Sequence, residues 1–420
     1  MNILIVGNGG REAALAWKLA QSNLATKIII TPSHPAAELM NPKIISSPLT
    51  AEALAVEYQL ALAVIGPEVP LSEGLADRLR ALGVATVGPS QAAAQLECSK
   101  DFAKQVMKSA NVPTSMSESF TSPSDAKAYV SAHPTHLVVK VDGPAQGKGV
   151  VVCDSIMEAH KAIDDFFSGA TLGAAVEKLV IEEKMSGREL SAFALCAGEE
   201  FVWLGVARDH KRLRNCDQGP NTGGMGTVSP LKDFSSDERA AIEARIFRPV
   251  LNEMAKRGTP FQGFLFAGLM RTNEGLKVLE FNVRLGDPET QVLLPLFQGD
   301  LLPLLLDCAH NQLPKELLQA TSQQCAVHVV VAAPGYPGTE GVALKLGDAI
   351  DWRPFPAEDV MIFPAGITGT SSNWKSRGGR IMGVTALGKD IEEARMKAYR
   401  EVKRFAFSGC QWREDIGVTL

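Results

Sequence analysis

The stretch Leu137-Val138-Val139-Lys140-Val141-Asp142-Gly143-Pro144-Ala145-Gln146-Gly147-Lys148-Gly149-Val150-Val151-Val152-Cys153 decides the architecture. Two β-branched runs flank a glycine-rich, basic tip, which predicts a hairpin. A P-loop needs G-x-x-x-x-G-K-[ST] followed by a helix; here the spacing is G-x-x-x-G-K-G and a strand follows. The segment implies a different nucleotide grip, in which the tip folds over the phosphates and Lys140 neutralises their charge. The competing reading is a solvated surface hairpin.

Towards the N-terminus, β-branched runs at 3–6, 27–31, 61–65 and 85–87 alternate with helical stretches at 11–21, 51–58 and 72–82. That alternation predicts a parallel sheet with crossover helices. Gly7-Asn8-Gly9-Gly10 lies between the first strand and first helix, where backbone N–H groups can cradle an anion, and Arg11 adds a cation. A dinucleotide fingerprint would need glycine where Glu12 stands and an acid near Thr31, and neither is present. A tight turn with no ligand is the alternative. Residues 91–110 read as one long helix ending before Asn111-Val112-Pro113.

Towards the C-terminus, residues 113–190 read as a smaller α+β unit, and 200–320 as a third stretch with strands at 201–207, 264–270 and 277–281. Helices are expected at 236–257 and 301–308, and the last hundred residues read as a small capping domain ending in a helix at 391–407. In Lys277-Val278-Leu279-Glu280-Phe281-Asn282, alternation places Leu279 and Phe281 in a core and Glu280 and Asn282 on the opposite face. Two oxygen ligands pointing the same way suit Mg²⁺, although an exposed strand face also shows polar residues at this period. Arg284, Asp287 and Glu289 follow directly, and an arginine there can stabilise charge on a transferred phosphoryl group.

With 420 residues, about three domains are expected. Apolar residues are 45% and charged residues 21%, the balance of a soluble globular protein. A net charge of -5 disfavours nucleic acid and anionic membranes as partners. The apolar opening is too short for a signal peptide, and prolines, Gly299 and Asp300 interrupt the leucine-rich run 293–306, so a cytoplasmic protein is expected. Seven cysteines without a C-x-x-C pair fit neither a disulfide framework nor a zinc site.

Taken together, Gly7 to Glu12, Gly66-Pro67-Glu68, Leu96 to Lys100, Lys140 to Gly149, Asp209 to Arg212, Gly219 to Gly226 and Glu280 to Gln291 resemble the phosphoribosylamine-glycine ligase family, along essentially the whole chain. The run Arg284-Leu285-Gly286-Asp287-Pro288-Glu289 is the most specific part of the match. The resemblance implies an α/β and α+β multidomain fold: an N-terminal parallel-sheet domain (1–98), an ATP-grasp core (99–322, with a mobile lobe at about 113–190) and a C-terminal domain (323–420) closing the site. It implies ATP, glycine and 5-phosphoribosylamine as substrates, glycinamide ribonucleotide as product, Mg²⁺ or Mn²⁺ as the metal, and a monomer. By the same resemblance, Lys100 and Lys140 bind phosphate, Gln146, Gly147, Lys148 and Gly149 form the lid, Glu182, Glu183 and Met185 belong to the adenine hinge, and Glu189 holds the ribose. Glu280 and Asn282 are the implied metal ligands, and Arg284 with Lys140 the catalytic cations. Asn8, Gly9, Gly10, Arg11, Glu68, Asp209, Lys211, Pro220, Asn221, Thr222, Gly223 and Asp287 are the implied substrate contacts.

Two departures lie in the N-terminal domain, beside the implied amine site. Ala13 stands where the family has histidine, and Pro32-Ser33-His34-Pro35-Ala36 stands where it has Pro-Gly-Asn-Ala-Gly. They motivate an alternative, a related ATP-grasp ligase with another amine acceptor. A catalytically idle nucleotide-binding scaffold and a nicotinamide oxidoreductase are the readings from other classes.

Overall fold

The computed structural model describes residues 1–133, 136–143, 149–171, 173–314, 322–339, 341–353, 358–370, 373–405 and 407–418; Gln146, Gly147 and Lys148 of the expected lid lie outside them. The expected parallel sheet is present, with five strands in the order Ile44–Ser46, Lys27–Thr31, Asn2–Val6, Leu60–Ile65, Thr86–Val87. Ile3, Leu4 and Ile5 are all fully buried because both faces of the sheet are covered. The strand order reverses between Asn2–Val6 and Leu60–Ile65, and a crevice at such a switch point is where open α/β sheets place ligands.

The second unit is a four-stranded antiparallel sheet ordered Ser117–Phe120, Leu179–Glu183, Leu137–Val141, Val150–Cys153, and the hairpin pairs Lys140 with Val150. Helices Pro123–Ala132 and Ile156–Phe167 cover one face through Ala126, Val130, Ile163 and Phe166. By alternation the opposite face carries Val138, Lys140, Val150, Val152 and Glu182, and Val150 and Val152 are 43% and 52% exposed. An apolar strip beside a lysine is therefore open to a ligand.

The largest sheet is antiparallel throughout, ordered Gly275–Asn282, Gln262–Thr272, Arg188–Ala197, Glu200–Asp209, Gly226–Ser229, Cys325–Ala332, Arg380–Gly388, Val360–Pro364. Its last three strands come from the C-terminal region, which extends the central sheet through Gly226–Ser229 and also forms a three-stranded antiparallel sheet of its own, ordered Ala349–Ile350, Asn373–Ser376, Ile367–Thr370. Among the described residues no single helix is long and apolar enough to cross a membrane; the leucine-rich run is two helices, Thr290–Leu296 and Leu301–Ala309, bent by 112° and largely buried.

Three local expectations are corrected. The long helix at 91–110 is two, Gln91–Cys98 and Lys100–Ser109, because Ser99 leaves the helical region and its hydroxyl accepts from Phe102 N–H as the N-cap of the second. The run at 236–257 contains a wider turn, Glu243–Phe247, just before Pro249, which cannot donate to the helical ladder. In Gly275–Asn282 the register shifts so that Glu280 faces Gly268 and Val278 faces Leu269. The extra residue, Leu279, is only half-buried and Val278 takes its expected place in the core.

Candidate active site

At the switch point the first glycine loop is built around a carboxylate. Gly7 has φ +112° and donates its N–H to Thr31 O at 2.7 Å. Glu12 accepts from Gly9 N–H at 2.7 Å and from Arg11 Nε at 2.6 Å. A Cβ on Gly7 or Gly66 would lie 2.7 or 1.9 Å from the Glu12 side chain. Both glycines are thus required sterically by Glu12, whatever else the loop binds. Arg11 departs from its expected role: it is 7% exposed, and it donates to Glu12 and to Leu285 O at 3.1 Å, joining the N-terminal sheet to the segment that carries Asp287.

A cavity of about 270 Å³ opens in front of this loop, lined by Asn8, Gly9, Gly10, Ser33, His34, Asp287, Ala365, Gly366, Ile367, Arg377, Gly378 and Arg380. Arg380 pairs with the Asp287 carboxylate at 3.1 Å, donates to Asp287 O at 2.8 Å and bonds Gly223 O. Burial works to raise the Asp287 carboxyl, but Arg380 and Arg11 outweigh it and hold it below the usual range. Gln291 donates to the same carboxylate at 2.8 Å and approaches through the space left by Gly10. His34 is buried, its Nε2 donates to Pro364 O at 3.0 Å, and burial pushes its pKa down to about 4, so the ring is neutral. Of the two departures, only Ser33 and His34 reach the cavity; Ala13 is fully buried in the core beneath the helix Gly10–Ala20.

Across the cleft, Glu182 organises the lysines. It is 3% exposed and bonds Lys140 at 2.9 Å, Lys104 at 3.1 Å and the Ser115 hydroxyl at 2.8 Å. Burial raises its carboxyl, but two cations prevail and hold it low, whereas at Lys104, with one shared carboxylate, burial prevails and lowers the ammonium. Lys100 donates to Gly143 O at 3.2 Å, and Asp142 accepts from Ser99 Oγ at 3.0 Å and Asp101 N–H at 3.2 Å, which ties the hairpin to the first turn of Lys100–Ser109. Gly149 accepts from Val141 N–H at 2.8 Å, closing the described part of the hairpin. Glu183 is exposed and donates its N–H to Met116 O at 3.0 Å, while Met185 is half-buried.

Between these two regions lies Glu280, open to the cleft opposite Gly268. Desolvation by the surrounding protein would raise its carboxyl, but Lys211, Lys140, Lys100 and Arg284 together hold it below the usual range. Four cations from four parts of the chain thus act electrostatically on one carboxylate while each is bonded to another group: Lys100 to Gly143 O, Lys140 to Glu182, Lys211 to Glu189 and Arg284 to Glu97. Asn282 Oδ1 accepts from Arg284 at 3.1 Å, and Arg284 pairs with Glu97 at 2.9 Å and lies 3.5 Å from Glu68. Lys211 pairs with Glu189 at 2.7 Å. Thr222 caps the turn by donating both its N–H and its hydroxyl to Lys211 O at 2.8 Å, and Gly223 donates to Tyr336 Oη at 3.0 Å; Pro220 and Asn221 lie in the strand Gln218–Asn221 leading there. Asp209 and Glu289 are both raised by burial, Asp209 also by the charge of Glu289, and Asp209 Oδ1 is buried with no hydrogen-bond partner among the described residues.

Among the described residues no three His, Cys, Asp or Glu side chains gather for a metal ion. One carboxylate and one amide fit Mg²⁺, which takes few protein ligands and completes its octahedron with phosphate and water.

Sequence profiles of phosphoribosylglycinamide synthetase match the chain in three consecutive parts: the N domain at 1–97, the ATP-grasp (A) domain at 98–290 and the C domain at 326–419. The chain belongs to this family. Within it, the chain is 42% identical to a phosphoribosylamine–glycine ligase from Agrobacterium fabrum, over 99% of this chain and 98% of that one. It is 39% identical to one from Rhodopirellula baltica, over 99% and 97%. The crystal structure of phosphoribosylamine–glycine ligase from Thermotoga maritima superposes with a TM-score of 0.86 at 31% identity, covering 99% of this chain and all (100%) of that one. A biotin carboxylase domain from Hydrogenobacter thermophilus, solved with MgADP, shares the fold alone, at TM-score 0.74 and 16% identity over 98% and 91%.

Several residues of the site were not singled out from the sequence. Lys104 and Ser115 are partners supplied by other elements and carry no motif of their own, and Glu97, though inside the motif Leu96 to Lys100, shows no role in the sequence because its partner Arg284 is distant along the chain. Arg377-Gly378-Gly379-Arg380 does carry a signal, two arginines around a glycine pair, the chemistry of an anion-binding turn.

Proposed function

We propose that this family member joins glycine to 5-phosphoribosylamine, consuming ATP and releasing glycinamide ribonucleotide, ADP and phosphate, as a monomer in the cytoplasm. The reading is carried by the placement of Lys100, Lys140, Lys211 and Arg284, each held by another group, around the cleft where their charge acts on Glu280, beside the open apolar strip of Val150 and Val152. That strip suits an adenine ring, with the hinge of Glu182, Glu183 and Met185 at its edge, Glu189 towards the ribose, and Lys100, Lys140 and the lid residues 146–149 at the phosphates. Glu280 and Asn282 would hold Mg²⁺ or Mn²⁺, which supplies Lewis-acid screening of phosphate charge.

In the first step a glycine carboxylate oxygen attacks the γ-phosphorus and the bond to the β–γ bridging oxygen breaks, giving glycyl phosphate and ADP. Arg284, fixed by Glu97 and Glu68, is positioned to meet charge spreading onto the transferred oxygens. In the second step the amine nitrogen attacks the acyl carbon, phosphate leaves, and the amine proton passes to an acceptor. The partner-less Asp209 oxygen, on the same chain segment as Lys211, is suited to the ammonium of glycine. The cavity before Gly9 and Gly10 suits the phosphoribosyl group, with Arg377 and Arg380 on its C-terminal wall and Asp287 below. The domain limits 1–98, 99–322 and 323–420 belong to the same reading. A different acceptor amine is the second reading, favoured by His34 in that cavity.

The test is ADP release with Mg²⁺ and ATP, with glycine and freshly generated 5-phosphoribosylamine added singly and together, and the product weighed by mass spectrometry. Glycinamide ribonucleotide formed only in the complete mixture supports the reading; ATP binding without that product under any combination overturns it.

A further inference from the structure

The segment 411–416, after the last helix, grips the hairpin that carries Lys211 and Thr222. Arg413 is 1% exposed. Its Nε and Nη2 bond both oxygens of Asp415, at 2.7 Å each, and its Nη1 bonds Asp217 at 2.6 Å and Arg212 O at 3.2 Å. Asp415 in turn accepts from Cys216 N–H at 2.8 Å, and Glu414 donates its N–H to Asn215 Oδ1 at 2.9 Å. Three consecutive residues of the segment thus hold Arg212, Asn215, Cys216 and Asp217. Cys216 and Asp217 have φ of 56° and 52°, a left-handed pair without glycine that persists only where its surroundings enforce it.

The segment is itself anchored at both ends. Gln411 exchanges backbone hydrogen bonds with Ala332 at 2.8 and 2.9 Å. Tyr399 Oη donates to Arg413 O at 2.6 Å and accepts from Ile416 N–H at 3.1 Å, and Ile416 is fully buried against Gly226. The far end of the Arg212–Arg214 and Gln218–Asn221 hairpin is therefore fixed to the C-terminal region. Its near end is the Lys211–Thr222 pair, where the Lys211 ammonium bonds Glu189 at 2.7 Å.

We infer that Arg413 is a positioning residue for the ligation: by fixing Asp217 it sets the register of the hairpin 212–221, and through Lys211 and Thr222 the geometry offered to the acceptor substrates. This rests on the proposed role of residues 209–223 in holding those substrates. A bidentate arginine suits the task, since its planar fork fixes the direction as well as the distance of each carboxylate.

The variants are Asp217→Asn, at a side chain 57% exposed, Arg413→Lys and Arg413→Met, with Asp209→Asn testing the underlying reading. Steady-state KM is measured for ATP, glycine and 5-phosphoribosylamine separately, with thermal unfolding alongside. Asp217→Asn and Arg413→Met are expected to raise the KM of one or both acceptor substrates about tenfold while that of ATP stays within about twofold, and Arg413→Lys to recover part of the loss. If Arg413→Met does not fold, Asp217→Asn and Arg413→Lys decide. Unchanged acceptor KM values in Asp217→Asn, or a parallel loss of ATP affinity, overturn the inference. If Asp209→Asn also leaves every KM unchanged, it is the reading of the loop that fails; if Asp209→Asn raises them and Asp217→Asn does not, only the positioning role fails.

Discussion

Replacing Glu182 by glutamine should unlatch the small lobe. The carboxylate is buried, with Lys140 at 2.9 Å, Lys104 at 3.1 Å and Ser115 at 2.8 Å, and Lys104 is itself 9% exposed. Glutamine keeps the shape but turns an N–H₂ group towards one of two ammonium groups and leaves both lysines without their charge partner. Removing one side of a buried pair costs about 3–5 kcal/mol, because the desolvated charge remains. The lobe has its own core, so the loss should be local. Hydrogen exchange of peptides spanning Leu137–Val141 and Leu179–Glu183 should accelerate by about 10² to 4 × 10³-fold, at about 1.4 kcal/mol per tenfold. The strand Asn2–Val6 should keep its protection. Adding Lys104→Met, which replaces the stranded cation by an apolar chain of similar length, should restore at least tenfold of the lost protection, or about 1.4 kcal/mol. The sign with pH follows from the depressed folded-state carboxyl: its stabilisation is present above roughly pH 4.3, the unfolded value, and lost as pH falls through the folded one. Wild-type lobe protection should therefore fall at acid pH more than that of Glu182→Gln. A change in lobe exchange below about tenfold, or an equal change in the N-terminal sheet, would refute the reasoning.

The remaining predictions concern the other parts of the site. Glu280→Gln should lower turnover by about 10²–10³-fold and raise the Mg²⁺ concentration for half-maximal rate while the fold is retained; an unchanged Mg²⁺ dependence counts against the metal assignment. His34 and His328 are held by burial at about 4 and about 3, below the unfolded value near 6.5. Their neutral forms stabilise the fold above pH 6.5 and lose that contribution, on the order of 3 kcal/mol for His34 and of 5 kcal/mol for His328, as pH falls towards 4 and then 3. The urea midpoint should drop between pH 7 and pH 5, and less steeply in His34→Asn; equal slopes would contradict it. Gly66→Ala, whose Cβ would fall 1.9 Å from Glu12, should cost about 2 kcal/mol or more. Combined with Glu12→Ala it should cost little beyond Glu12→Ala alone, and strict additivity in thermal melts would show that the contact is not what requires glycine.

What the sequence discloses about this chain depends on how far apart the interacting residues lie. The alternation of β-branched runs and helices announces the parallel sheet because each strand and each helix repeats its own period, whichever neighbour it pairs with. The hairpin around Lys140 is legible for the same reason, and Glu280 and Asn282 share a face as their spacing requires. Leu279 departs from the alternation because it is the extra residue of a bulge opposite the step from Gly268 to Leu269, and the spacing in one strand carries no record of how it pairs with its neighbour. The same holds for the joining of the C-terminal strands to the central sheet, which is decided by edge pairing at Gly226–Ser229.

Charge follows the same rule with larger consequences. Lys140 and Arg284 can be picked out as cations near phosphates, but what orients them, Glu182 for one and Glu97 for the other, is separated in sequence and close only after folding. Arg11 shows the converse: beside a glycine loop it reads as an anion contact, yet Glu12 is adjacent and Leu285 O is within reach, so two of its three guanidinium nitrogens are bonded inside the protein. A cation in a phosphate-like motif is available to a ligand only if the groups folded against it leave it on an open face of the site. At this site Glu12 settles that question for Arg11, while Glu182 holds Lys140 in place on the open face of its sheet, 12% exposed at the edge of the cleft. The arrangement of carboxylates therefore decides which of the legible cations remain available for chemistry, and that arrangement is a property of the assembled fold.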